Sequence, residues 1–556
     1  MSATLETPVQ HPAVCRGAKF SPGRVLLLAN CLALAAVAVW FRCWKLGNIP
    51  GINGDEAWYG VQAVEALRGA GIAWRTPSGN VMNPFFLGPL VLLHALFPPS
   101  FALLRSVAVA SGLAALVLNF FVCRRVFGPR AATISTLLLA VLPMNLAYSR
   151  FAWDASQSLA ATVLVVYLPL LALRDPSHRA RWMLAGVVAF AAAVLVHPTN
   201  VFTAPLVGAA MFYAYRTEIG RCWARFPTQR HRIAYAALVL ASGGAAWVAW
   251  ARPGAAAIRL VHPGEAWAFL VNYGRLFSGA SVYRYIPGSI GTGGIDALDV
   301  ATWVLAATAL VGFRRLLSCE RYLPDRALAA GWLGSCLAFF LFAGAGSIEP
   351  HFERYGVCLV ASGALVLSRG ACWFCLGEVP ARRFVEFSLV ALAWMLLGGF
   401  YCNYFWFFER TGGLSHRTFH TSAAEPKQET LAYVLDGCAP HQPVRLLTAE
   451  WWNRWPLEYL ATAHDNVKIV SATGPALQAE FAQLCGAASS ARWAAAASAR
   501  EECAWFVEFS GSEADRTVGR RLAECGIEAG RKQILDYAGR PLLTIYGPIR
   551  KDLRNN

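Results

Sequence analysis

Residues 24–56 read RVLLLANCLALAAVAVWFRCWKLGNIPGINGDE. From Arg24 to Phe41 the stretch is apolar over about 18 residues, the length a helix needs to cross the hydrocarbon core of a bilayer. It follows a polar tail with Arg16 and Lys19, is longer than a signal-peptide core and lacks a convincing cleavage site, so it reads as a first membrane span rather than a removable leader. Asn48 to Gly54 is a loop by its Pro and Gly content. Asp55 and Glu56 then open an amphipathic stretch in which Ala57, Val61, Val64 and Leu67 recur near helical spacing. A span, a loop and two adjacent carboxylates at the membrane surface are therefore expected within one short segment. Asp is a favoured helix N-cap, and capping alone would account for Asp55.

The rest of the chain repeats the first element. Of 556 residues, 56% are apolar and only 15% charged, with 20 Trp and 32 Phe; soluble domains sit nearer a quarter charged. About eleven spans are expected, near residues 24–41, 101–122, 131–148, 156–173, 182–196, 199–215, 233–250, 300–317, 328–346, 355–369 and 385–402. Pro84–Phe97 is short for a span and reads as an interfacial or re-entrant helix. In lipid only helices satisfy their own backbone groups, so this part is all-α.

The net charge of +16 does not point to nucleic acid. Residues 415–556 hold 16 basic and 16 acidic residues, so the excess lies in the apolar part. With a cytoplasmic N-terminus it falls on the inner loops: Arg124, Arg125 and Arg130; Arg174, Arg179 and Arg181; Arg216 to Arg232; Arg314 to Arg326; Arg369, Arg382 and Arg383. Basic inner loops set the orientation of membrane proteins. The outer loops are different in kind. They carry Asp55 and Glu56, Arg150 and Asp154, His197 and Asn200, Tyr283 and Arg284, and Glu349, His351, Arg354 and Tyr355. Acids, bases and aromatics thus converge on one face, where a carboxylate can accept the proton of an attacking hydroxyl and arginine can grip a phosphate. Arg150 and Asp154, four apart, also fit a simple ion pair on one helix face. His197 fits a cap, and Tyr283-Arg284-Tyr285 either a phosphate contact, with Arg284 as the binding cation, or an interfacial anchor. A metal site from His197, His351, Glu349 and Glu353 has no diagnostic spacing, and no cofactor is expected.

These motifs resemble polyprenyl- and dolichyl-phosphate-dependent glycosyltransferases of the GT-C fold, such as protein O-mannosyltransferases and bacterial aminoarabinose transferases. The resemblance rests on Asp55-Glu56 after the first span, Asn83-Pro84 opening a second interfacial helix, Arg105 near the start of the next span, Arg124 to Gly128 at its inner end, Arg150 to Asp154, and Arg354-Tyr355. It covers about residues 24–402. It implies inverting sugar transfer on the outer face of the membrane from a polyprenyl-phosphate donor to a lipid, glycan or protein acceptor. Asp55 would be the base with Glu56 beside it, Asp154 a second cavity acid, and Arg354 and Tyr355 the phosphate holders. Glu349, His351 and Glu353 make the approach to Arg354 more acidic than the family pattern. The competing reading is a transporter or flippase, but ionisable residues at the ends of spans, without a repeat, fit it less well.

From residue 415 the character changes. Val444–Ala449, Val467–Ser471, Ala504–Phe509 and Leu542–Tyr546 read as strands, and 451–462, 475–486 and 512–525 as helices. The expected organisation is a cytoplasmic tail 1–23, a membrane domain 24–414 and a small α/β extracytoplasmic domain 415–556. The protein would sit in the cell inner membrane. Trp451, Trp452, Trp455 and Tyr459 fit packing of that domain on the membrane part better than sugar stacking. Cys438, Cys485, Cys503 and Cys525 are an even set allowing three disulfide pairings. Cys372 and Cys375 are a lone C-x-x-C, a weak zinc signal.

Overall fold

The computed structural model describes residues 22–77, 79–224, 263–283, 297–319, 322–349, 352–375, 379–411, 425–471, 477–479, 481–482, 503–536 and 539–549. Among these, eight helices are long and apolar enough to cross a membrane: Val25–Cys43, Phe101–Phe127, Asp154–Arg174, Pro176–Val196, Ala297–Ser318, Leu323–Phe342, Glu353–Phe374 and Arg382–Arg410. Eight of the expected spans fall on them. The count of eleven is not reached, for physical reasons at two positions. Over 131–148 the chain forms two helices, Pro129–Val141 and Pro143–Tyr148, broken where Leu142 is extended (ψ 124) ahead of Pro143, because a residue before proline avoids the helical region. Over 199–215 a 3₁₀ turn, Pro198–Thr203, runs into a helix, Ala204–Ala224, kinked at Tyr215 and ending among Arg216, Glu218 and Arg221. The stretch 233–250 lies outside the described residues.

The elements needed below are α1 (Pro22–Cys43), α2 (Gly54–Leu67), α3 (Pro84–Leu96), α4 (Phe101–Phe127) and α5 (Pro129–Val141). The short α3, capped by Asn83 with Pro84 in its first turn, is the expected interfacial helix. Within the bundle, several buried polar side chains find partners. Asn119 on α4 donates to Ser135 and Thr136 on α5 and accepts from Tyr167, and Arg369 makes a bidentate pair with Asp325 at 2.7 Å. Unpaired polar groups at such depth would be costly.

The C-terminal part adds α6 (Glu425–Asp436), β1 (Val444–Thr448), α7 (Trp451–Ala461), β2 (Val467–Ser471), β3 (Cys503–Phe509), α8 (Glu513–Glu524), β4 (Arg531–Leu535) and β5 (Pro541–Ile549). The sheet order is β2-β1-β3-β5-β4, parallel from β2 to β3 and antiparallel beyond. Every residue of β3 is buried, as a central strand requires. β4 has no hydrophobic run to announce it: Arg531-Lys532-Gln533 is the charged signature of an edge strand. The expected helix at 475–486 lies largely outside the described residues. Cys438 and Cys503 form a disulfide, and Cys525 is also disulfide-bonded. Cys372 and Cys375 are buried free thiols.

The sheet domain seats on α2 through aromatic rings. The Trp451 ring lies against Gly54, where a Cβ would come within 2.1 Å of it, and the Tyr459 ring lies against Gly60. The Tyr459 hydroxyl donates to the Ser100 carbonyl at 3.0 Å and bonds His94 Nε2 at 2.8 Å. Tyr459 is part of the core of the membrane bundle. Packing, rather than sugar stacking, is what these two side chains do here. The sheet domain therefore lies at the same end of the bundle as Asp55.

Candidate active site

The site begins with a helix cap. Asn53, not Asp55, caps α2: its side-chain oxygen accepts from the Asp55 N–H at 2.7 Å, and the Asn53 N–H donates to Glu56 Oε2 at 3.1 Å. This is a capping box, with the acid three residues after the cap. Because Asn53 and Glu56 satisfy the helix end, the Asp55 carboxylate is released from capping.

Glu56 is committed elsewhere. It is fully buried and accepts four hydrogen bonds: from Asn53 N–H, from Arg105 Nε and Nη2 at 2.8 Å each, and from Ala152 N–H at 2.7 Å. Arg105 spends its other donors on the Leu46, Pro50 and Gly51 carbonyls. One ion pair thus fastens the loop after α1, the start of α2, α4 and the 150–154 loop together. A buried amine, Lys427 of α6, feels both charges, and burial lowers its pKa to about 8.

Arg150 is likewise a clamp. It donates to the Phe41, Trp44 and Ile49 carbonyls and lies over the Phe405 ring, at 4.7 Å from its centre. The alternative of an Arg150–Asp154 pair on one helix face does not hold. The chain between them turns rather than forming a helix, and a 3₁₀ turn starts only at Asp154. Its neighbours at the carbonyl ends of α1 are well matched to a cation.

Three ionisable groups remain within electrostatic reach of one another. Asp55 is half-buried, and its environment raises its pKa to about 6: burial first, opposed by Arg354 and reinforced by Glu56. Asp154 is buried and interacts electrostatically with both Asp55 and Arg354. The Arg354 guanidinium sits in an aromatic box, 4.7 Å from the Tyr355 ring centre, 5.3 Å from Trp153 and 5.8 Å from Phe352. Its Nη2 donates to the Tyr355 hydroxyl at 3.2 Å. His197 closes one side, 6.1 Å from both Trp153 and Tyr355. Its Nδ1 bonds the Thr199 hydroxyl at 2.7 Å and caps the following turn. Burial, then Arg354, depress its pKa to about 3, so the ring is neutral at pH 7. The Tyr59 hydroxyl accepts from Asn83 N–H, and its pKa is raised by burial, then by Asp154 and Asp55. It is a neutral wall beside the two acids.

The other described candidates make contacts of their own. Asn200 ties neighbouring segments, donating to Ser158 and the Ala193 carbonyl. Tyr283 packs near Phe400. Glu349 is exposed, while Glu353 is buried and accepts from the Tyr148 hydroxyl. Arg284 and His351 lie outside the described residues. Among the described residues no three His, Cys, Asp or Glu side chains are grouped to hold a metal ion. In the sequence Trp153 and Tyr59 stand out only as members of the Arg150–Asp154 loop and of the aromatic run after Asp55-Glu56, and Lys427 carries no signal. Only the Asn53-x-x-Glu56 spacing carried a readable signal of the cap.

Residues 84–250 match the family model described as dolichyl-phosphate-mannose-protein mannosyltransferase. No curated protein sequence matches the chain. In three dimensions it is similar to ArnT from Cupriavidus metallidurans in the apo state (TM-score 0.52, 14% identity, 94% of this chain and 97% of that one). ArnT bound to undecaprenyl phosphate gives 0.50, at 14% identity over 95% and 98%. The archaeal oligosaccharyltransferase AglB from Archaeoglobus fulgidus, in complex with an inhibitory peptide and a dolichol-phosphate, gives 0.53, at 14% identity over 96% and 75%. At such identities the likeness speaks for the architecture. The chain is a multi-pass membrane protein with the GT-C fold, and over residues 84–250 it carries the sequence pattern of the dolichyl-phosphate-mannose-protein mannosyltransferases.

Proposed function

We propose that the protein is an inverting membrane glycosyltransferase that moves a sugar from a polyprenyl-phosphate carrier to an acceptor hydroxyl or amine. The single observation that carries this reading is the Asp55 carboxylate, freed from capping and near enough to Arg354 to feel its charge. The acceptor attacks the anomeric carbon, Asp55 takes its proton, and the bond from that carbon to the carrier phosphate breaks. Arg354, oriented by the Tyr355 hydroxyl, neutralises the charge growing on the leaving phosphate, where stabilisation of the transition state matters most. Asp154 is a second acid of the site, and Glu56, Arg105 and Arg150 are positioning residues. The likeness to structures solved with undecaprenyl phosphate and dolichol-phosphate supports the donor class.

The site would face the outside of the cell inner membrane, with the N-terminus in the cytoplasm. Basic residues at the far ends of the spans favour this orientation. So does the Cys438–Cys503 disulfide at the Asp55 end, since disulfides persist in oxidising compartments. The divisions 1–23, 24–414 and 415–556 remain the working domain boundaries.

Purified protein in detergent, given a panel of radiolabelled polyprenyl-phosphate sugars, should release carrier phosphate coupled to a labelled acceptor. Carrier binding without transfer from any donor would favour a transporter or flippase instead.

A further inference from the structure

At the end of the bundle remote from Asp55 there is a cavity of about 240 Å³ between α1, α5 and the span Arg382–Arg410. Its walls are apolar: Leu27 of α1, Ile134 and Leu138 of α5, and Leu389 and Val390 of the third helix. α1 is the least buried of the eight spans, so this wedge opens toward lipid. A soluble anion or a sugar has no partner along such walls.

One end of the cavity is different. Arg130, exposed in the first turn of α5, stands at its mouth. The helix N-terminus there adds partial positive charge. Arg124 and Arg125, also exposed, end the neighbouring α4. Among the described residues the one acid in the lining, Glu386, is held by Arg382 at 2.8 Å, so it does not cancel Arg130. The cavity thus combines an apolar slot with a cationic mouth at the polar boundary of the membrane.

We propose that this cavity binds one anionic phospholipid from the leaflet opposite the reaction, an acyl chain in the slot and the phosphate at Arg130. A zwitterionic lipid would satisfy the slot but leave the positive mouth uncompensated. The bound lipid would fill the wedge between α1 and the bundle. The inference stands independently of the catalytic reading.

The test is native mass spectrometry of delipidated full-length protein offered equimolar phosphatidylglycerol and phosphatidylethanolamine. Wild type should retain one phosphatidylglycerol in preference. Arg130→Gln, at an exposed position, should reduce that adduct about fivefold, the worth of one basic side chain at an anionic lipid surface, and leave phosphatidylethanolamine unchanged. Leu138→Trp, which plugs the slot, should reduce both. Equal retention of the two lipids by wild type, or phosphatidylglycerol retention unchanged in both variants, would overturn the proposal. So would displacement of phosphatidylglycerol by undecaprenyl phosphate, which would assign the slot to the carrier.

Discussion

Arg105 holds Glu56 through two parallel hydrogen bonds of 2.8 Å, with both side chains fully buried and 49 positions apart. The pair is the structural pivot of the site, because Glu56 also receives the N–H groups of Asn53 and Ala152. Removing one partner of such a pair strands a buried charge at a cost of about 3–5 kcal/mol. Glu56→Ala should therefore lower Tm and activity together, whereas Glu56→Gln, which keeps acceptor and shape, should lose less of both. Thermal unfolding beside transfer rates checks this. Full stability in Glu56→Ala with lost transfer would make Glu56 a reacting group.

The pH profile should report Asp55. Its pKa of about 6 means that the base form is lost as pH falls, so kcat/KM should drop through that region and level off above it. The linkage to stability has the opposite sense. The folded state holds a proton that the unfolded chain has released between the ordinary carboxyl value of 3.8 and about 6, so folding stability declines as pH rises across that window. Asp55→Asn should flatten this decline and raise Tm at pH 7.

Arg354 lowers the pKa of Asp55 while opposing its burial. Arg354→Gln should thus do two things at once: weaken the donor, seen as a raised KM, and move the acid limb of the pH profile upward. A merely structural arginine would change Tm and leave the position of that limb alone. Arg354→Lys should rescue the limb better than the KM, since an ammonium lacks the bidentate fork.

The seat of the sheet domain makes a steric prediction. A Cβ at Gly54 would come within 2.1 Å of the Trp451 ring. Gly54→Ala should destabilise by about 1–3 kcal/mol and reduce transfer, because the displaced ring abuts the residue before Asp55. Adding Trp451→Ala should restore part of the activity. A double variant no better than the single one would show that the clash is not the cause.

Much of this was legible in the sequence because it is written in local patterns. Long apolar runs, Pro84 at a helix start and the alternation of strands and helices after 444 needed no long-range information. The electrostatic coupling of Asp55 to Arg354 was readable only as a shared side of the membrane. What could not be read were the partners: Arg105 reaching Glu56 across 49 residues, Arg150 turning to α1 rather than to Asp154, and Trp451 arriving from 397 positions away. The span at 131–148 misled because its hydropathy is continuous while Pro143 breaks its backbone. Capping was the competing reading of Asp55, although Asn53 stands two residues earlier with an acid at the right spacing.

The central claim is that Asp55 is the base. The direct measurement is sugar transfer from a polyprenyl-phosphate donor by wild type and Asp55→Asn, with Tm recorded for both. The account predicts a fall of at least about 100-fold with Tm kept or raised. Equal transfer by the two proteins would contradict it and remove Asp55 from the chemistry.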